Sequence, residues 1–170
     1  ENRRHHAQTI ACVDCGPKLF LLDGEGNEVS GDPIEETAKL LDEGEILAIR
    51  GIGGFHIACV ESAAVKLKQV LGRPNQSLAV MMLEETMKEY VVAPSDADRE
   101  LLTGPVHPIV ILDKLDPTSH PELSQLHNLG VMLPYTALHH LLFQKLKSPL
   151  LVMTSANAPG TPMITDTETI

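Results

Sequence analysis

The chain has 170 residues, of which 43% are hydrophobic, 3% aromatic and 21% charged, a composition typical of one globular domain with an aliphatic core. Its formal net charge of −10 disfavours extended binding to nucleic acids, because an acidic surface repels phosphate backbones. No apolar run reaches the roughly 18 residues of a membrane-spanning helix, and the start at Glu1 without Met predicts a piece of a longer protein.

Residues 1–17 are polar and show no periodicity, so we expect an arm rather than a core element. Cys12 and Cys15 have the spacing of half a structural zinc site, which normally needs four ligands. We therefore expect a two-ligand remnant here, with zinc only in the full-length protein. Cys59 lies in a predicted strand and is interpreted as a buried free thiol. Three cysteines make no disulfide framework and fit a reduced, cytoplasmic location.

The segments that follow alternate between strand and helix patterns. Residues 18–22 predict a strand that turns back near Val29, and Asp32 followed by Pro33 predicts the start of a helix ending at Gly44. No packed element is predicted from residue 159 onward. This alternation predicts an α/β fold with a mixed sheet flanked by helices. Further strands are predicted at 46–49, 55–60, 78–82, 108–112, 129–133 and 150–153, and further helices at 63–71 after Ser62, 84–90, 95–102 and 137–147 after Thr136.

Two predicted strands run directly into segments suited to ligand binding. Residues 46–49 precede the glycine-rich residues 51–56, and residues 150–153 precede the polar residues 154–157. Open α/β sheets bind ligands at strand ends, where glycines allow close approach to a phosphate and Thr, Ser and Asn offer hydrogen bonds without bulk. The two segments together predict a nucleotide or acyl-phosphate site. Taken alone, the glycines match neither a Rossmann fingerprint nor a P-loop, and a conformational role in a turn explains them equally well.

Arginines and histidines near these segments are further candidates. Arg50 follows a buried strand, where burial of a guanidinium is costly unless it faces an opening or a partner. Arg73 lies in a loop. Both arginines are candidate phosphate ligands. His56 either contacts an anionic substrate or is a structural histidine beside a strand. His139 and His140 diverge by about 100° on a helix and cannot share one metal, so we expect one to face the core and the other a cleft.

Four segments carry a resemblance to a known family, namely residues 3–17 (RRHHAQTIACVDCGP), 51–58 (GIGGFHIA), 130–142 (GVMLPYTALHHLL) and 152–157 (VMTSAN). Together they resemble the HypF family of hydrogenase maturation carbamoyltransferases. The resemblance implies a tail of a zinc-finger region at residues 1–17 and a YrdC-like domain, truncated at its C-terminus, at residues 18–170. The implied fold is a twisted mixed β-sheet flanked by helices.

The resemblance also implies an enzyme that supplies the cyanide ligands of nickel-iron hydrogenase. In this family, carbamate is released from carbamoyl phosphate, and the YrdC-like domain joins it to ATP as carbamoyl-adenylate, with Mg²⁺ on the nucleotide. Another domain of the full-length enzyme passes the carbamoyl group to a cysteine of a HypE-type acceptor protein. Related synthases run the same chemistry on a carbamate of threonine.

The resemblance assigns residues to two parts of one site. No covalent nucleophile is predicted, because adenylation needs only the alignment of two anions and the neutralisation of phosphate charge. The implied phosphate- or nucleotide-binding residues are Arg50, Arg73, Thr154, Ser155 and Asn157, and the implied substrate cleft is lined by Gly53, Gly54, Phe55, His56, Tyr135 and His139.

The sequence departs from the family in its basic loop, where Leu71 and Gln76 stand at positions that are usually lysine. Each missing cation would weaken phosphate binding by about 1 to 3 kcal/mol, so a catalytically incomplete structural fragment is one alternative. The other alternative is a double-stranded RNA-binding module, as YrdC-like domains are often described. The 13 Lys and Arg residues are scattered along the chain, which argues against RNA binding.

Overall fold

The computed structural model describes residues 16, 18–157, 160–167 and 170, so Cys12, Cys15 and the predicted zinc half-site lie outside the described residues. Within the described part, six strands form one sheet in the order β1-β2-β6-β3-β5-β4. The strands are β1 (Leu47–Arg50), β2 (Phe55–Cys59), β3 (Val80–Met82), β4 (Val110–Asp113), β5 (Asn128–Met132) and β6 (Leu150–Ser155). The helices are α1 (Pro33–Asp42), α2 (Ala64–Val70), α3 (Glu84–Met87), α4 (Asp96–Thr103) and α5 (Ala137–Phe143).

The sheet is mixed, which confirms the predicted α/β fold. β3 and β5 run parallel, whereas the other neighbouring strands pair in antiparallel fashion. β1 and β2 form a hairpin closed by the glycine-rich segment, and β2 pairs with β6 so that His56 lies opposite Ser155. The end of β1, the start of β2 and the end of β6 therefore lie side by side at one end of the sheet.

Aliphatic side chains fill the core, as the composition predicts. Leu41 of α1, Leu67 of α2 and Leu142 of α5 are at most 1% exposed, and α1 packs against α5. β6 lies between β2 and β3 and is buried from residue 150 to residue 154, which explains its continuous apolar sequence. Among the described residues, every helix is too short or too polar to cross a membrane.

The predicted N-terminal strand pair is the main difference from the sequence analysis. Only a single bridge, between Leu22 and Glu28, joins the two segments. Leu19 and Phe20 remain 44% and 61% exposed, and although Leu21 is buried, most of the segment lacks the burial that would extend its pairing.

Two helix ends also differ from prediction. The helix expected after Ser62 begins with a 3-10 turn, Glu61–Ala63, so Ser62 lies inside that turn and α2 has no side-chain cap. α5 ends at Phe143, before the expected residue 147. The Asp42 carboxylate accepts the backbone N–H groups of Lys147 and Ser148, and these bonds hold the chain in a non-helical turn that leads into β6.

Candidate functional site

The turn between β1 and β2 forms one side of the candidate site. Gly51 donates its N–H to the Gly54 carbonyl at 2.8 Å, and Ile52 at the tip is 84% exposed. Gly54 has a φ of +140°, and a Cβ there would lie 2.7 Å from the Ile164 carbonyl oxygen. Glycine is therefore required at position 54 by both the backbone conformation and a close approach.

The loop after β6 forms the opposite side. The Ser155 hydroxyl donates to Asn157 Oδ1 at 2.7 Å, and Asn157 Nδ2 donates to the Thr161 carbonyl at 2.7 Å. Arg73 reaches this loop from the segment before β3, where its Nη2 donates to the Asn157 carbonyl at 2.9 Å. Together with the pairing of His56 and Ser155, these contacts bring three of the predicted phosphate ligands next to the glycine turn.

Residues 160–167, for which no packed element was predicted, run across both loops. Ile164 donates its N–H to the Ala156 carbonyl and accepts the Phe55 N–H, both at 2.8 Å, so it bridges the start of β2 and the end of β6. Arg50 Nη1 lies 3.5 Å from Thr167 Oγ1. We use the name rim for the glycine turn (residues 51–54), residues 155–157, Arg50 and Arg73.

Two predicted phosphate ligands lie on a different face from Ser155. Neighbouring residues of a strand point to opposite faces, so Thr154 and Ser155 diverge, and the Thr154 side chain is buried at 8% exposure. Arg50 pairs with Phe55, and its guanidinium carbon lies 5.8 Å from the Phe55 ring centroid on that other face. Arg50 is exposed and lies at the edge of the rim beside Thr167, whereas a contact from Thr154 needs its backbone or a rearranged side chain.

Four ring side chains meet beside the glycine turn, and we call them the histidine cluster: His56 of β2, His107 from the loop before β4, Tyr135 before α5, and His139 of α5. The Tyr135 ring centroid lies 4.6 Å from that of His139, at an interplanar angle of 70°, and 6.2 Å from that of His107. A Cβ on Gly51 would lie 2.8 Å from Tyr135 Oη and 3.1 Å from His56 Cε1, so the turn packs directly on the cluster.

The polar atoms of the cluster are buried without partners. Among the described residues, no hydrogen-bond partner is found for Nδ1 of His56, Nδ1 of His107 or either ring nitrogen of His139. An unsatisfied buried polar group costs about 1 to 3 kcal/mol, and native proteins satisfy nearly all of them. These unpartnered nitrogens therefore lower the stability of the folded protein.

Burial also fixes the charge of these histidines. It lowers the pKa of His139 from 6.5 to about 4, with smaller contributions from the charges of His56 and His140, and it lowers the pKa of His56. Both rings are therefore neutral at pH 7. A neutral imidazole offers one N–H donor and one acceptor nitrogen. Of the two adjacent histidines, His139 is 1% exposed and His140 is exposed, so only His139 belongs to the cluster.

His107 is the cluster member that the sequence analysis missed. Its φ of +44° is in the left-handed region that non-glycine residues rarely adopt. It lies between Pro105 and Pro108, and this proline-rich context is the signal that marks a fixed, unusual loop.

A second polar cluster lies away from the rim, beyond the other end of β2. Glu61, His120 and Glu122 each place one potential metal-ligating atom within 4.8 Å of the others, and His120 Nδ1 contacts Glu61 Oε1. Burial, followed by a hydrogen bond with Glu122, raises the pKa of Glu61, and the same bond lowers the pKa of Glu122. Lys114 and Lys68 also act on Glu122, so ammonium groups already balance the carboxylates. We interpret this cluster as a structural ion network.

Two grooves on the surface lie elsewhere. One, of about 620 Å³, is lined by Lys39, Lys145 and Lys147 together with four acidic side chains. The other, of about 600 Å³, is largely apolar and is lined by residues of α3 and α4. Neither groove includes a residue of the rim or of the histidine cluster. The polar groups of the rim instead contact residues 160–167, which occupy the space between the two loops.

Comparison with known proteins adds independent evidence. Residues 39–170 match the Sua5/YciO/YrdC family, described by the words "telomere recombination", and residues 1–22 match the HypF finger. Carbamoyltransferase HypF of Rhodobacter capsulatus is 45% identical over 169 residues, which cover 96% of this chain and 22% of that protein. A crystal structure of full-length HypF in its phosphate- and nucleotide-bound form has a TM-score of 0.84 and 38% identity, covering 98% of this chain and 22% of that chain.

The fold is also found in a more distant protein. E. coli YciO, at 18% identity, has a TM-score of 0.60 over 75% of this chain and 65% of its own. The present chain spans 22% of the length of the HypF relatives named above. Because the family match covers most of the chain and the fold agrees with it, the chain belongs to the Sua5/YciO/YrdC family and is similar to the YrdC-like region and zinc-finger tail of HypF carbamoyltransferases.

Proposed function

We propose that this chain forms carbamoyl-adenylate from carbamate and ATP, as the adenylating part of a carbamoyltransferase for hydrogenase maturation. The observation that carries the proposal is the meeting of two segments about a hundred residues apart. His56, which follows the glycine turn, pairs with Ser155, and Arg73 contacts the Asn157 carbonyl at 2.9 Å. A guanidinium, a hydroxyl, a carboxamide and glycine backbone at one end of a sheet suit a triphosphate. The similarity to a HypF structure with bound nucleotide supports this assignment.

In the proposed reaction, a carbamate oxygen attacks the α-phosphorus of ATP. A new P–O bond forms, the bond from the α-phosphorus to the oxygen bridging to the β-phosphate breaks, and pyrophosphate leaves with that electron pair. Carbamate is already an anion, so the attack releases no proton. The site must align two anions and offset the charge that builds on the phosphates.

The contacts of the rim indicate how it could do so. Arg73 now donates to a neutral carbonyl, and exchanging that acceptor for a phosphate oxygen gives a stronger, charge-assisted hydrogen bond. Asn157 Nδ2 now donates to the Thr161 carbonyl and would likewise change partner. ATP binding in this proposal displaces internal contacts of the rim, and Mg²⁺ arrives on the nucleotide phosphates.

The remaining steps belong to the longer enzyme. In this proposal, residues 1–17 are the tail of a zinc-finger region in which Cys12 and Cys15 supply two zinc ligands, and residues 18–170 are the YrdC-like domain. Other parts release carbamate from carbamoyl phosphate and pass the carbamoyl group to a cysteine of a HypE-type acceptor in the cytoplasm.

Binding of double-stranded RNA has weaker support. Lys68 and Lys114 are only 6% and 3% exposed, and Lys114 donates to the Ser119 and Ser124 carbonyls at 2.7 Å. These two cations are therefore removed from any surface that would follow a phosphate backbone.

The direct test is exchange of labelled pyrophosphate into ATP. With MgATP and freshly dissolved ammonium carbamate we expect label in ATP. The adenylate forms only from carbamate, and labelled pyrophosphate enters ATP when that step runs in reverse. Sodium bicarbonate or ammonium chloride alone should therefore give no label. ATP binding without carbamate-dependent exchange would contradict the proposal and favour a catalytically incomplete fragment.

A further inference from the structure

A buried lysine outside the rim and the histidine cluster holds a long loop together. Lys114, which directly follows β4, is 3% exposed, and its Nζ donates to the carbonyls of Ser119 and Ser124, both at 2.7 Å. Its charge also acts on the Glu122 carboxylate. Residues 115–127 form neither helix nor strand, and we call them the Lys114 loop. Because burial of an ammonium is costly unless it is hydrogen-bonded, these contacts favour one conformation of the loop.

The Lys114 loop contacts the segment that leads into β3. Leu78 donates its N–H to the Leu123 carbonyl at 2.9 Å, and the hydroxyls of Ser77 and Ser124 lie 3.1 Å apart. Leu123 and Ser124 are at most 1% exposed. Ser124 therefore joins two regions, since its carbonyl accepts from the Lys114 ammonium and its hydroxyl contacts Ser77.

The segment held in this way carries Arg73. Residues 72–77, which we call the Arg73 segment, form neither helix nor strand, and residues 74–77 are exposed, so little packing fixes their course. At the start of the segment, Arg73 donates its N–H to the Lys68 carbonyl at 2.9 Å. At its end, only the contacts with the Lys114 loop described above separate it from β3. The direction in which the Arg73 guanidinium reaches Asn157 therefore depends on these two anchors.

We propose that Lys114 is a positioning residue for Arg73, acting through Ser124 and Ser77. This inference rests on the proposed function, in which Arg73 binds a phosphate of ATP, and it adds a residue outside the rim that the binding needs. Without the ammonium, two carbonyls of the Lys114 loop lose their donor and the anchor at the end of the Arg73 segment loosens. Arg73 then samples more positions, and a phosphate contact that depends on its geometry weakens.

The decisive variant is Lys114→Met, which keeps an unbranched side chain of similar length and removes the ammonium. We expect the Kd for MgATP to rise roughly 10-fold, because part of the charge-assisted contact of Arg73 is lost. In a protein that already carries Arg73→Ala, the same substitution should change the Kd by less than about twofold, since residues that act through one contact are not additive. Calorimetric titration of the four proteins measures this coupling.

The matched control is Lys66→Met on α2, an exposed lysine that pairs with Glu45 at 3.6 Å. It should change the Kd by less than about twofold whether or not Arg73 is present, because exposed ion pairs contribute little. Equal rises caused by Lys114→Met with and without Arg73 would overturn the inference, and so would an unchanged Kd.

Amide hydrogen exchange separates positioning from a general loss of stability. In Lys114→Met we expect faster exchange at Leu78 and in the Lys114 loop, while β2 and β6 exchange as in the unmodified protein. Faster exchange across the whole sheet, or unchanged exchange at Leu78, would overturn the inference. If the unmodified protein does not bind MgATP, the proposed function fails, and the exchange at Leu78 still decides whether Lys114 holds the Arg73 segment.

If Lys114→Met does not fold, Ser124→Ala interrupts the same path by removing a single hydroxyl. We expect a smaller rise in the Kd for MgATP, about threefold, because one neutral hydrogen bond is lost. This rise should disappear in the presence of Arg73→Ala. A rise of equal size in both backgrounds, or no rise in either, would overturn the inference.

Discussion

The rim and the histidine cluster lie side by side but differ in whether their polar groups have hydrogen-bond partners. In the rim, Arg73, Ser155 and Asn157 all have internal hydrogen-bond partners. In the cluster, ring nitrogens of His56, His107 and His139 are buried with no partner among the described residues. The rim is thus held in place by the protein itself, whereas the cluster buries ring nitrogens at a cost in stability.

We expect this difference to separate the effects of substitutions in the two regions. The partnered groups of the rim stabilise its loops, and in the proposed function nucleotide binding exchanges these hydrogen bonds for a stronger, charge-assisted set. The unpartnered nitrogens of the cluster destabilise the folded protein. We therefore expect rim variants to change nucleotide affinity and cluster variants to change stability.

The largest expected effect is on the pH dependence of the free energy of unfolding, and it arises from the histidine cluster. Because burial holds the pKa of His139 at about 4, the unfolded chain takes up a proton between pH 6.5 and 4 that the folded chain does not. The free energy of unfolding should be full above pH 6.5 and fall by up to about 3 kcal/mol as the pH drops toward 4. Urea unfolding at a series of pH values measures this slope, to which His56 contributes in the same direction.

Comparison with the variant His139→Phe separates the contribution of His139 from that of other titrating groups. The variant should lose most of the slope, whereas Arg73→Ala should keep it. An identical slope in the unmodified protein and His139→Phe would mean that His139 is not held neutral by burial.

The next largest effect is on nucleotide affinity through Arg73. Arg73→Ala removes the charge-assisted contact to phosphate and the anchor on the Asn157 carbonyl. We expect the Kd for MgATP to rise by roughly 30-fold, which corresponds to about 2 kcal/mol. Calorimetric titration measures the change, and Arg99→Ala is the control, because Arg99 pairs with Glu84 on the surface. Equal effects of the two substitutions would remove Arg73 from the site.

A smaller loss of nucleotide affinity is expected from a substitution in the loop after β6. Asn157→Ala deletes an uncharged group that contacts the Ser155 hydroxyl and the Thr161 carbonyl. The Kd for MgATP should rise by roughly 10-fold, since neutral hydrogen bonds contribute about 1 kcal/mol each. An unchanged affinity in the same titration would show that this carboxamide only supports residues 160–167.

The smallest expected effect is a gain in nucleotide affinity. Gln76 is exposed near the rim at a position where the resembling family has lysine. Gln76→Lys should lower the Kd for MgATP by about two- to threefold at low salt, because an exposed cation contributes less than about 1 kcal/mol. The gain should shrink as ionic strength rises. A salt-independent change would indicate a conformational cause instead.

Local signals in the sequence account for most of the fold. Asp32, Ser95 and Thr136 each cap a helix as predicted, because the capping hydrogen bonds depend only on the next few residues. The apolar run before Thr154 correctly predicts the last strand, β6. Ser62 is the exception, because the chain makes a 3-10 turn there before α2 begins.

The parts of the site that could not be predicted depend on distant contacts. Residues 160–167 have no periodicity, and Ile164 is held by backbone hydrogen bonds to Phe55 and Ala156. Likewise, the lack of hydrogen-bond partners for the His139 ring depends on the residues around it in space, which the residues next to it in the sequence do not reveal. The sequence thus correctly predicts that the two loops meet at one end of the sheet, but not what lies between them.

A crystal structure with MgATP tests the central claim most directly. The account predicts the triphosphate between the glycine turn and residues 155–157, with Arg73 on a phosphate oxygen and the bond from Asn157 Nδ2 to the Thr161 carbonyl broken. Nucleotide bound instead in the groove lined by Lys39, Lys145 and Lys147, with the rim contacts intact, would contradict it.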